Sequence, residues 1–297
     1  MTPLHGVLPV LHMPYHDNFE VDYDTLAAEV DFAYECGAHG IVMAMVTELL
    51  RLSTEERNKV AAFLAKTNAG RGSVTISVGA ETTRGAIDYA RAAADAGATA
   101  LMAIPPIATG LGESALHDYY AAILNATPLP LVVQDASSYV GKPLTAKFQA
   151  ELRQELGERV YFKPEAEPVG PVITAMHAIT GGNAKIYEGS GGKSLVENYR
   201  RGIAGTMPGA DLLDFIVALW NALEAGDEDR IYAIAPLIAM MQTLVTSLDG
   251  YLAIEKHLML RRGVFKNTLV REPIGFTLDE HATAEVDRIF DRLQAVL

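Results

Sequence analysis

Between Gly6 and Thr206, short apolar runs alternate with longer stretches of helical period, and no other feature restricts the fold as tightly. The runs fall at 6–11, 39–45, 74–78, 99–104, 129–134, 160–163, 184–187 and 203–206. Apolar residues spaced by three and four fill the segments at 23–35, 54–67, 84–96, 114–125, 145–155, 169–179, 193–200 and 212–223. Ser53 and Glu56 form a capping box ahead of the second helix, and Gly37 suits the end of the first. Each helical crossover returns the chain to the same edge, so consecutive strands run parallel. Eight strand-then-helix units close most naturally into a barrel, and the expected fold is α/β, a (βα)8 TIM barrel. The segments 36–42, 96–102 and 201–207 echo one another, each with a glycine ending a helix and small residues leading into a strand. An open doubly wound sheet fits less well, because no glycine-rich dinucleotide turn follows the first strand.

After Asp211 the alternation stops. The segments 228–248, 251–261 and 278–297 are helical in period without strands between them. The expected division is a barrel over 1–226 and a C-terminal helical extension over 227–297, packed on the barrel because no low-complexity linker separates them.

Charge narrows the partners. The chain carries 24 Lys and Arg against 37 Asp and Glu, a formal net charge of -13, which argues against nucleic acid and anionic membrane surfaces. A small anionic substrate stays compatible, since a site can be locally positive. The single cysteine, Cys36, rules out an internal disulfide and suits a reducing compartment. The N-terminus has no basic segment followed by a long apolar run, which predicts a cytoplasmic chain without a membrane span.

Several motif-like stretches fail. Gly192-Lys193-Ser194 resembles the end of a phosphate loop, but Tyr187 stands where the opening glycine belongs. Gly189-Ser190-Gly191 lacks the first glycine of a nucleophile elbow, Glu188 standing there instead. His12 and His16 flank Pro14 and have no local third ligand, so no metal site is expected. The glycines at 189, 191 and 192 follow a strand and open a helix, where backbone amides can hold an anion.

The chemistry-bearing stretch is Val160-Tyr161-Phe162-Lys163-Pro164-Glu165. Pro164 stops the strand at once and leaves a lysine at its end. An amine there sits in low dielectric, which disfavours the ammonium and favours a nucleophile able to form a Schiff base with a ketone. Glu165 falls on the same side of an extended chain. The same six residues also describe a lysine snorkelling from a strand end beside a carboxylate, and alone they favour that plainer arrangement. In a barrel, the polar strand ends gather at one mouth: Thr47 and Glu48, Gln134 and Asp135, Lys163 and Glu165, Glu188 and Gly189.

With these residues in place, the chain resembles the dihydrodipicolinate synthase and N-acetylneuraminate lyase family of Schiff-base barrels. Val132 to Ala136, Tyr161 to Glu165 and Tyr187 to Gly189 are most similar to its 2-keto-3-deoxy-L-arabonate dehydratase subgroup, and Thr47-Glu48 matches a Ser-Glu pair there. The resemblance implies that Lys163 forms the imine and that Glu165 moves the proton. It implies substrate contacts from Thr47, Glu48, Gln134, Asp135, Glu188 and Gly189. A 2-keto acid substrate, no cofactor, no metal and a homotetramer are implied as well. The chain departs from the synthases at the strand-five tyrosine, replaced by Val133, and at the tyrosine pair after strand four, replaced by Ile107 and Ala108. Tyr139 is a candidate substitute for the lost phenol. The expected activity is dehydration of a 2-keto-3-deoxy sugar acid. The alternatives are a pyruvate-releasing aldolase using the same imine and a non-catalytic keto-acid sensor.

Overall fold

The structure, a computed structural model, describes residues 4–138, 140–245 and 247–297; Tyr139 lies outside the described residues. Eight short parallel strands form the barrel. They are β1 (Gly6–Val7), β2 (Gly40–Met43), β3 (Ser73–Ser77), β4 (Ala100–Ala103), β5 (Leu131–Gln134), β6 (Val160–Lys163), β7 (Tyr187–Glu188) and β8 (Gly205–Thr206). β2 to β6 pair in order, and β1-β8-β7 form a second ladder. Single bridges close the circle, Val10 to both Val42 and Gly209, and Phe162 to Ile186. The first run, expected over 6–11, is regular only to Val7 because Pro9 has no N–H to give the ladder. Backbone bonds from Leu8 and Val10 to the β8 side, and from Val42 to the Pro9 carbonyl, carry it onward.

The helices are α1 (Tyr23–Glu35), α2 (Thr54–Asn68), α3 (Thr83–Asp95), α4 (Glu113–Ala126), α5 (Ala146–Leu156), α6 (Val169–Thr180), α7 (Leu195–Arg200) and α8 (Leu213–Ala225). α1 starts at an Asp22 cap and α2 at the Ser53–Glu56 capping box. Three more follow: α9 (Glu228–Gln242), α10 (Leu248–Arg261) and α11 (Glu280–Gln294). The expected single helix over 228–248 ends instead at Gln242. Ser247 accepts from the Gly250 N–H and caps a new helix. No helix among the described residues is long and apolar enough to cross a membrane.

The strand pleat sorts side chains into two cores. Ile41, Met43, Leu131, Val133 and Phe162 face the helices, while Val42, Met102, Val132, Tyr187 and Met207 fill the barrel. Gln134 and Lys163 are register partners at the ends of β5 and β6, so both project at the same level. The extension is fastened over this mouth by charge. Glu255 of α10 meets His12, Lys256 meets Glu48 on the turn after β2, and Arg262 meets Asp214 of α8.

Candidate active site

A cavity at the C-terminal ends of the strands is lined by Val10, Ala44 to Val46, Gln134, Lys163, Gly189, Gly191, the 207–209 segment, Tyr251 and Glu255. Lys163 is the one amine in this lining. Its Nζ lies 2.5 Å from Glu165 Oε1, with Lys163 3% and Glu165 5% exposed. Gln134 Nε2 donates to the same carboxylate at 3.3 and 3.4 Å. An amine, a carboxylate that can exchange protons with it and an amide that orients the carboxylate therefore meet at one level.

The strand-five expectation needs correcting. Val133 faces the helices, whereas Gln134, one residue on, faces the cavity. The pleat admits only alternate residues to the interior, so position 134 is where a strand-five phenol would enter. An amide stands there, and it can orient but not transfer a proton.

The other expected residues divide. Gly189 lines the cavity directly against the pair. A Cβ on it would lie 2.7 Å from Glu165 Oε1 and 2.8 Å from Lys163 Cε, closer than carbon tolerates. Thr47, Glu48 and Asp135 do not line it. The Thr47 hydroxyl donates to the Leu11 carbonyl at 2.6 Å and accepts from the Ala44 N–H at 3.0 Å. Two short 3-10 turns, Met45–Thr47 and Leu49–Arg51, leave Glu48 between them with φ 54°, which turns its side chain to Lys256 Nζ at 2.5 Å. Ala44, Met45 and Val46 reach the cavity instead, and they bring no hydroxyl. Asp135 accepts from the Ser137 and Leu144 N–H groups, each at 3.0 Å, and so shapes the following loop. Glu188 accepts from the Ser190 N–H at 2.7 Å, from its hydroxyl, and from Thr206 Oγ1 at 2.6 Å. The glycine-rich stretch thus gives an amide to an internal carboxylate.

Beneath the cavity, His12 is fully buried between Glu29, at 2.7 Å from Nδ1, and Glu255, at 2.9 Å from Nε2. Burial opposes its charge, but Glu29 and Glu255 outweigh burial and raise its pKa to about 10. Burial, then Glu255, pushes the nearby Asp211 up to about 7. His12, Asp211 and Glu255 could surround an ion by spacing alone. An imidazolium with both nitrogens protonated has no lone pair to ligate one, so the residues fit a proton-rich buried network better than a metal. His16, paired with His12 in the sequence, stays largely exposed.

The profile of the dihydrodipicolinate synthetase family matches residues 3–292. The chain belongs to that family. It is 27% identical over 239 residues to L-2-keto-3-deoxyarabonate dehydratase of Azospirillum brasilense, covering 78% of this chain and 77% of that enzyme. It is 28% identical over 248 residues to 4-hydroxy-tetrahydrodipicolinate synthase of Methanocaldococcus jannaschii, covering 80% and 82%. Among solved structures, dihydrodipicolinate synthase of Rhodopseudomonas palustris superposes with a TM-score of 0.84 at 26% identity, covering 98% of each chain.

Two cavity residues of this family member had no sequence signal. Tyr251 and Glu255 come from α10, beyond the barrel, and lie four apart on one helix face. Only the folded extension brings them to Lys163. Gly189 yields a direct test. Gly189→Ala will displace the Lys163 and Glu165 side chains by fractions of an ångström and lower turnover about a hundredfold. Its stability cost will stay near 1–2 kcal/mol, because side chains rather than backbone must give way. Steady-state rates and urea midpoints check both, and an unaltered rate would show that this contact does not align the pair.

Proposed function

We propose that the chain is a Schiff-base lyase that dehydrates a 2-keto-3-deoxy sugar acid. The observation that carries this reading is the buried Lys163 amine at the cavity, 2.5 Å from Glu165. The amine attacks the C2 ketone, and loss of water gives an iminium that draws electrons from C3. Glu165 stands close enough to the amine to take the C3 proton and leave an enamine. The enamine then expels the C4 hydroxyl, and hydrolysis of the unsaturated imine frees Lys163. Gln134 steadies the Glu165 carboxylate throughout. The similarity to the Azospirillum dehydratase supports this order over synthase chemistry, as does an amide rather than a phenol at position 134.

Borohydride reduction in the presence of pyruvate, and separately of L-2-keto-3-deoxyarabonate, is expected to fix an adduct on Lys163 that peptide mass spectrometry locates. Without reductant, the sugar acid is expected to lose water. Labelling of another lysine, or of none, sinks the imine assignment. Pyruvate release in place of water loss identifies an aldolase. An adduct followed by neither reaction identifies a sensor.

A further inference from the structure

We propose that Tyr251, carried into the barrel mouth by α10, protonates the hydroxyl that leaves C4. This rests on the dehydratase reading above. The leaving oxygen needs a proton, and Glu165, which holds the one taken from C3, is tied to the Gln134 amide at the Lys163 end of the cavity. Among the residues that line the cavity, the ionisable side chains are Lys163, Tyr251 and Glu255. Lys163 is consumed in the imine. The Glu255 carboxylate is engaged by His12 Nε2 at 2.9 Å. Tyr251 is left as the donor.

Its placement suits the task. α10 packs on the Met45–Thr47 turn after β2, four strands around the barrel from β6. It brings Tyr251 into the same lining as Lys163, so a chain of carbons bound there meets both the Lys163–Glu165 pair and the phenol. The helix is held in rotation by Glu255 to His12 and by Lys256 to Glu48. Burial, with Glu255, Glu165, Glu188 and Asp211 nearby, raises the phenol above its ordinary range, so it is protonated at neutral pH and gives up its proton only to a strong base such as a departing hydroxide. A phenol from the extension thus serves the cavity where Gln134 provides none.

The step balances. The C3–H electron pair becomes the enamine, and that pair then forms the C3–C4 double bond as the C4–O pair departs with oxygen. Oxygen takes the Tyr251 proton and leaves as water. Glu165 has gained one proton and Tyr251 has lost one, and exchange with bulk water after product release restores both.

The test uses the full chain with Tyr251→Phe and two substrates, L-2-keto-3-deoxyarabonate and its 4-deoxy-4-fluoro analogue. Fluoride leaves without a proton. The variant is expected to lose water about a hundredfold more slowly than wild type. Fluoride release should stay within about threefold, and the borohydride adduct on Lys163 should persist. Water loss at the wild-type rate overturns the assignment. Equal slowing of water and fluoride overturns it too, since that is the signature of mere positioning. Wild type that forms the adduct but eliminates nothing overturns the dehydratase reading first, and the donor role with it.

Discussion

Lys163→Met will abolish turnover, by at least about ten-thousandfold, and no borohydride adduct will form. No other lysine can take its place. Lys256 is buried but tied to Glu48 and to the Leu269 carbonyl, outside the cavity. The substitution also leaves Glu165 buried without its cation, although the Gln134 amide remains. Breaking a buried pair on one side costs about 3–5 kcal/mol, more than the pair itself contributes. Adding Glu165→Gln to Lys163→Met removes the stranded charge, so the double variant should regain most of the lost stability and none of the activity. Urea unfolding and a turnover assay separate the two effects. Residual activity near one per cent of wild type would show that Lys163 is not the nucleophile.

The second large effect is on stability against alkali. The His12 pKa rises from 6.5 to about 10 in the folded chain because Glu29 and Glu255 outweigh burial. The native state therefore keeps a proton that the unfolded chain gives up. The resulting stabilisation is fully present below about pH 6.5 and is lost as pH climbs through 10. Its size is on the order of 4 kcal/mol. Asp211 acts in the same direction at lower pH. Burial and Glu255 hold its carboxyl up to about 7 against 3.8, so its contribution is full below about pH 4 and gone above 7. Asp22 and Glu56 oppose this at the acid end. Burial raises Asp22 but is outweighed by Lys266 and the Thr25 bonds together, the Arg271 bond leads at Glu56, and both carboxyls sit at about 2. Their contributions disappear only as pH falls towards 2. Urea midpoints between pH 7 and 10 should fall steadily for wild type. His12→Gln should be less stable at pH 7 and nearly flat over that range. Parallel slopes for the two proteins would remove His12 from the account.

Much of the barrel was legible because its signals are local. Alternating runs, the Ser53–Glu56 capping box and glycines at helix ends act over a few residues, and their chemistry survives in any context that buries them. Lys163 and Glu165 were legible for the same reason: a proline stop after an apolar run puts a lysine at a strand end wherever the strand lies. Strand parity places Gln134 rather than Val133 inward, because Gln134 is the register partner of the inward Lys163.

The rest lay in tertiary structure. Thr47, Glu48 and Asp135 stand in the right turns, but bonds to Leu11, Lys256 and Leu144 turn them from the cavity, and those partners are remote or separated by a loop. Tyr251 and Glu255 look like two polar residues on an amphipathic helix until α10 is laid over the mouth. The chain alone decided that there would be eight strands and a lysine at the end of the sixth, because backbone geometry and burial pattern are short-range. Which side chains share that lysine's cavity was decided only by folding, because an ion pair such as Glu255–His12 selects partners by position in space and not by separation along the chain.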